Sequence, residues 1–174
     1  TDGPEWTFKD LKIKSLNKAR ILKNLNLKAG DSLTVIIEDP KEFILYWIAS
    51  NFLGIMFIAL NTAIKGKGLL HQINTSKSKH VIVENLFFDE VNNLKNTYKL
   101  DIEILNCGEL KNKELVKESE VTFGKLSDNV CTMFTSGTSG PSKGVMMPNA
   151  HCVLFAVGTI ENYDLKHDHV FYIS

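Results

Sequence analysis

The chain has 174 residues, and its hydrophobic and charged fractions, 44% and 23%, are ordinary for a folded domain, so wholesale disorder and low complexity are excluded. Twenty basic side chains balance twenty acidic ones, which argues against nucleic acid as the main partner, since phosphate backbones demand a basic face. Arg20 is the only arginine. The three cysteines, Cys107, Cys131 and Cys152, are widely spaced and form no CxxC, so a disulfide framework is not expected and the chain reads as intracellular and cytoplasmic. The five histidines show no zinc spacing.

In chain order, Thr7 with Asp10 three residues on predicts a helix start, and Phe8, Leu11, Leu16, Ala19, Leu22 and Leu25 trace one helical face up to a stop at Gly30. Ser32–Glu38 reads as a strand. Asp39-Pro40-Lys41-Glu42 predicts another helix start, with Asp39 as cap, Pro40 at the first position and Glu42 closing a capping box. Residues 43–64 carry no charge and are long enough in principle to span a bilayer. A helix over Pro40–Leu53 would be only about 21 Å long, and Gly54 stops it. A buried helix followed by a strand over Ile55–Leu60 is therefore expected in place of a transmembrane span, with peripheral attachment to a membrane surface left open.

A short helix over Gly66–Lys77, a strand over His80–Glu84, a helix over Phe87–Asn96 and a strand over Asp101–Asn106 follow. Glu109–Asp128 is polar and reads as a surface excursion. Val130–Phe134 is a buried strand, a helix is expected from about Pro148 to Asn162, and His169–Ser174 begins a further strand. Helices alternating with strands predict an α/β fold, a parallel sheet with helices on both faces. The chain begins at Thr1 and stops within an apolar run, so it is expected to be a truncated piece, poorly soluble by itself because an apolar strand is left unpaired.

Chemistry concentrates in Thr135-Ser136-Gly137-Thr138-Ser139-Gly140-Pro141-Ser142-Lys143-Gly144, a run of hydroxyls and glycines with one lysine, placed after a buried strand and before a helix. Open α/β sheets bind ligands beyond the carboxyl ends of their strands. Glycines let backbone N–H groups close on an anion, hydroxyls donate to phosphate oxygens, and Lys143 adds a compact positive charge. A polyphosphate cradle is the expectation. A P-loop would need glycine at Ser142 and a hydroxyl at Gly144, and a dinucleotide G-x-G-x-x-G is absent from the run.

The segment Met133–Val145 resembles the phosphate-binding signature of the adenylate-forming superfamily, whose pattern is Thr-Ser-Gly-(Ser/Thr)-(Thr/Ser)-Gly-x-Pro-Lys-Gly. Thr135, Ser136, Gly137, Thr138, Ser139, Gly140, Lys143 and Gly144 are in register with it; Ser142 stands where Pro is commonest, and Pro141 comes one residue early. Trp6–Leu11, Gly30-Asp31 with Asp39–Phe43, and Leu60-Asn61-Thr62-Ala63-Ile64-Lys65-Gly66 are similar to further family segments in the same order, the last to the version in carnitine/crotonobetaine-type and fatty-acyl ligases.

The resemblance implies the N-terminal part of the large, AMP-binding domain over residues 1–174, the rest of that domain and the small C-terminal domain being absent. It implies ATP-dependent activation of a small or fatty carboxylate as an acyl-adenylate, with Mg²⁺ accompanying ATP, pyrophosphate released, and transfer to coenzyme A. An amino-acid adenylation module and a non-catalytic nucleotide-binding module are the alternatives. The eight in-register residues are the implied ATP-binding set. No catalytic residue and no metal ligand are expected here, because the family's magnesium glutamate, ribose aspartate and catalytic lysine lie further along. His151 and Asn149 sit near the loop, where His151 could line the nucleotide or acyl site, a helix-surface or helix-packing histidine being the default; His167 and His169 read as a solvated turn. Cys131, Cys152, Trp47, Phe87 and Phe88 read as core.

Overall fold

Helix α1, Phe8–Asn24, opens on the predicted capping box. The Asp10 backbone N–H donates to Thr7 Oγ1 at 3.1 Å and the Thr7 N–H donates to Asp10 Oδ2 at 2.9 Å, so two orphan donors are satisfied reciprocally. In this computed structural model, which describes residues 5–110, 121, 125–135 and 141–170, the buried stripe of α1 runs through Leu16, Ala19 and Leu22. Phe8 does not belong to it: it is 91% exposed, one turn too early to reach the sheet. The helix also ends before Gly30, at the cap Leu25. Gly30, at φ +90°, instead turns the chain into the first strand, its N–H donating to the Gly54 carbonyl at 2.9 Å.

Helix α2, Pro40–Phe52, is capped by Asp39, which accepts from the Lys41 N–H at 2.8 Å. Glu42 does not close a capping box. Its carboxylate takes Lys18 of α1 at 2.6 Å, and the Asp39 N–H donates to Glu84 Oε1 at 2.8 Å. A carboxylate far along the chain thus does the work expected of a local one. Gly54 adopts φ +66° and ends the element as expected. Among the described residues no helix is long and apolar enough to cross a membrane.

The described strands are β1 (Ser32–Ile36), β2 (Met56–Ala59), β3 (His80–Val83), β4 (Glu103–Asn106), β5 (Asn129–Thr135) and β6 (Lys143–Pro148), in the spatial order β4-β3-β1-β2-β5-β6. All neighbours are parallel except β5 and β6, which pair antiparallel. The remaining helices are α3 (Gly66–Ser76), α4 (Asn85–Tyr98) and α5 (Asn149–Asn162).

Side chains alternate across each strand, so the sheet separates two apolar layers. Leu33 and Val35 of β1, Phe57 of β2 and Ile82 of β3 meet Leu22, Tyr46 and Ala49 of α1 and α2. On the opposite face Ile36, Ile58, Val81 and Val83 meet Leu69 and Ile73 of α3 and Phe87, Val91 and Leu94 of α4. Helices therefore cover both faces, as the alternation of elements predicted. Trp47 and Phe88 pack at the margins of these layers, Cys131 is buried, and Cys152 is half-buried.

One expectation is corrected: the hydroxyl-rich run does not lead directly to a helix, because strand β6 pairs antiparallel with β5 before α5 begins. Helix α5 forms over Asn149–Asn162, as expected, and buries none of its residues. Of the expected strand over 169–174 only residues 169 and 170 are described, and neither is in a strand; residues 171–174 and most of the expected excursion over 109–128 lie outside the described residues.

Candidate active site: a cleft at the carboxyl ends of β2 and β5

Beyond the carboxyl ends of β2 and β5 lies a cleft of about 310 Å³, lined among others by Leu60, Asn61, Gln72, Phe134, Thr135 and Ser142. Parallel pairing of Phe57 with Cys131 and Ala59 with Met133 brings the two strand ends level. Helix α3, which follows β2, forms the wall on one face of the sheet.

The hydroxyl-rich run spans this hairpin. Thr135 ends β5 and Lys143 begins β6, the two residues facing each other across the ladder with Thr135 Oγ1 donating to the Lys143 carbonyl at 3.4 Å. The two described ends of the run are thus held side by side. Because it joins two strands, it does not lead straight into a helix, and the N-terminus of α5 is not part of the cradle.

Of the residues singled out in the sequence, Thr135 lines the cleft. Lys143 is exposed at the hairpin base, and Gly144 packs its backbone against Thr132 and Phe134, where a Cβ would stand 3.0 Å from Thr132 Cγ2. Strand alternation turns Lys143 and Gly144 to opposite faces. Ser136, Gly137, Thr138, Ser139 and Gly140 lie outside the described residues. His151 is exposed on α5 beside the Phe155 ring, 6.4 Å between centroids, and does not line the cleft. His167 and His169 are exposed, and among the described residues no group of three or more His, Cys, Asp or Glu is placed to hold a metal ion.

The sequence pattern missed Ser142, His71 and Gln72. Ser142 lines the cleft; its carbonyl is 2.9 Å from His71 Nε2, and its hydroxyl accepts from Gln72 Nε2 at 3.1 Å. A carbonyl only accepts, so His71 carries its proton on Nε2. A signal existed in the stripe Leu69, Gln72, Ile73, Ser76. All four are buried, and a glutamine on an apolar helix face asks for a polar partner.

Chemically, hydroxyls and one ammonium around a strand-end gap suit a polyanion. The described donors, Thr135 and Ser142 at the cleft and Lys143 at its rim, fit the phosphates of a nucleotide.

Comparison with known proteins agrees with this chemistry. Residues 1–174 match the family described as AMP-binding enzyme. The 2-succinylbenzoate–CoA ligase of Bacillus licheniformis is 29% identical over 163 residues, covering 93% of this chain and 33% of that protein. The solved structure of o-succinylbenzoate CoA synthetase from Bacillus subtilis with its acyl-adenylate intermediate superposes with a TM-score of 0.83 at 22% identity, covering 95% of this chain and 42% of that one. The same enzyme with ATP and magnesium ion gives a TM-score of 0.82 at 20% identity, covering 95% and 43%. The chain spans about a third of the length of the curated relatives it matches. With a sheet of this topology, a hydroxyl- and glycine-rich sequence following β5 and a family match from first residue to last, the chain belongs to the AMP-binding, adenylate-forming enzymes.

Proposed function

We propose that this chain is the N-terminal, nucleotide-binding part of an ATP-dependent acid–thiol ligase, and that residues 135–144 receive the phosphates of ATP. The observation that carries the reading is the pairing of Thr135 with Lys143 beside a cleft at the carboxyl ends of β2 and β5, with a hydroxyl- and glycine-rich sequence between the two residues. In the whole protein a carboxylate oxygen attacks the α-phosphorus of ATP, the bond to the bridging oxygen breaks, and pyrophosphate leaves with the electron pair. The acyl-adenylate then passes its acyl group to the thiol of coenzyme A and AMP departs. Donors fixed around the β- and γ-phosphates lower the energy of the charge that develops on the leaving pyrophosphate.

Thr135, Ser136, Thr138 and Ser139 are the proposed hydroxyl donors, Gly137, Gly140 and Gly144 permit close backbone approach, and Lys143 supplies charge. Mg²⁺ would accompany ATP and help neutralise the phosphate charge, with the residue that would hold it expected further along the protein. The relatives named above support coenzyme A as the acceptor. The similarity of Leu60–Gly66 to fatty-acyl ligases supports a small or fatty carboxylate as substrate, although the relative from Bacillus licheniformis is named for 2-succinylbenzoate. Residues 1–174 alone are proposed to lack adenylation activity and to act in the cytoplasm as part of the larger enzyme.

The test is carboxylate-dependent exchange of labelled pyrophosphate into ATP by the full-length protein, with Lys143→Ala beside the wild type. Exchange that requires a carboxylate and weakens by about tenfold or more in the variant supports the reading, since one charge-assisted contact is worth roughly 1.5–3 kcal/mol. ATP binding without exchange for any carboxylate would favour a nucleotide-binding module without ligase chemistry.

A further inference from the structure

Helix α3 is fixed at both ends of its role. At its start the Gly66 N–H donates to Glu90 Oε1 at 3.1 Å and Lys65 pairs with Glu90 at 2.9 Å, which ties it to α4. Along its inner face Leu69 and Ile73, 3% and 2% exposed, lock it onto the sheet. From this braced helix two consecutive side chains leave toward the same residue of another element. His71 donates to the Ser142 carbonyl and Gln72 to the Ser142 hydroxyl, some seventy positions away in sequence. Gln72 is 1% exposed, so its amide is committed to this contact and not to water; its Oε1 has no partner among the described residues.

We propose that His71 and Gln72 are positioning residues that hold Ser142, the residue that leads into β6, so that the placement of Lys143 against the phosphates depends on α3. The mechanical reason is local. The β5–β6 ladder ends at the pair Thr135–Lys143, where the Thr135 hydroxyl adds only one long hydrogen bond, 3.4 Å, so Ser142 lies just beyond the paired residues and is not held by them. The two shorter bonds from α3 act on both the backbone and the side chain of Ser142, the residue immediately before Lys143. Holding a carbonyl and a hydroxyl of one residue from a rigid helix removes both rotation and translation at that point. A loop already ordered loses less conformational freedom when ATP binds. Neither His71 nor Gln72 touches phosphate in this scheme.

The inference rests on the proposed phosphate-binding role of residues 135–144, and the experiment separates the two. In the full-length protein, pyrophosphate exchange is measured against ATP concentration for His71→Leu, Gln72→Leu, the double variant, His71→Gln and Lys143→Ala. Amide hydrogen exchange over residues 142–144 and the thermal midpoint are measured alongside. The double variant is expected to raise the KM for ATP about tenfold, equivalent to about 1.4 kcal/mol, and to speed amide exchange at 142–144. His71→Gln, which keeps an N–H donor of similar reach, is expected to recover most of the loss. A purely structural role would lower the thermal midpoint without that recovery and without a selective change at 142–144. If the double variant fails to fold, Ser142→Ala removes only the hydroxyl and leaves α3 intact, with an expected rise of about threefold, about half the double variant's free-energy change. Unchanged KM and unchanged amide exchange in the α3 variants, with Lys143→Ala impaired, would overturn the grip and leave the phosphate site standing. No effect of Lys143→Ala would overturn both.

Discussion

Gly144 lies flat against Thr132: a Cβ on the glycine would stand 3.0 Å from Thr132 Cγ2 and 3.6 Å from the Phe134 ring. The pairing explains why the second residue of β6 is a glycine. Thr132 and Phe134 both project from β5 toward that backbone, and Gly144 faces Phe134 directly in the ladder. Gly144→Ala is expected to destabilise the fold by about 1–3 kcal/mol, the usual cost of overpacking a fitted contact. Thr132→Ser deletes only the obstructing methyl and keeps the hydroxyl, so it should relieve the alanine when the two are combined. Urea unfolding of the four proteins in the cycle measures this. Additive effects would show that the methyl contact is not the cause.

The alternation of layers was legible because periodicity is a local property. Leu33, Val35 and Phe57 on one face and Ile36 and Ile58 on the other are readable from strands buried on both sides. The hydroxyl-rich run was legible because its composition is unusual over ten consecutive positions. What escaped is non-local. Lys143–Pro148 begins with Lys-Gly and ends in Pro, signals that argue against a strand, and becomes one only because Thr132 and Phe134 of β5 offer it a ladder. Glu84 as the partner of Asp39, and His71 and Gln72 as partners of Ser142, depend on chain segments that meet only after the sheet is assembled. Gln72 alone left a trace, as a polar side chain in a buried stripe.

Glu84 substitutes for the expected local box at α2. Its carboxylate accepts the Asp39 N–H at 2.8 Å, and its own N–H donates to the Ile36 carbonyl at 3.0 Å, so it links the ends of β1 and β3 to the start of α2. Glu84→Ala is expected to cost about 1 kcal/mol through the lost hydrogen bond to an exposed helix start. Glu42→Gln should leave the Asp39 cap intact and affect only the Lys18 pair. A denaturation midpoint that falls for Glu42→Gln but not for Glu84→Ala would refute the assignment.

Helix α5 displays Leu154, Phe155 and Ile160 at 66%, 65% and 51% exposure, and Met146 of the adjoining β6 is 59% exposed. Contiguous apolar area of this kind drives association when nothing covers it. The 174-residue chain is therefore expected to self-associate at micromolar concentration. Leu154→Lys with Phe155→Lys should reduce that association without shifting the thermal midpoint, because neither side chain is buried. Sedimentation of both proteins decides the matter; a monodisperse monomer for the unaltered chain would refute the expectation, including the poor solubility anticipated from its sequence.

Burial pushes the thiols of Cys107 and Cys131 up to about 11, with the carboxylates of Glu42 and Glu84 adding to the effect at Cys107 and the neighbouring Cys152 adding to it at Cys131. In the unfolded chain both thiols ionise near the ordinary value of about 8.5. The folded state therefore keeps protons that the unfolded state gives up between about 8.5 and 11, and the sign follows from linkage: stability is intact below about pH 8.5 and falls as pH rises toward 11. Urea midpoints should be flat from about pH 7 to 8 and decline above pH 9, and Cys107→Ala with Cys131→Ala should weaken that decline. Alkylation gives a second readout, because only thiolates react. Half-buried Cys152 is expected to be labelled first at neutral pH, with Cys107 and Cys131 labelled only as the chain opens. Labelling of Cys131 as fast as Cys152 under native conditions would show that its thiol is not shielded by the sheet.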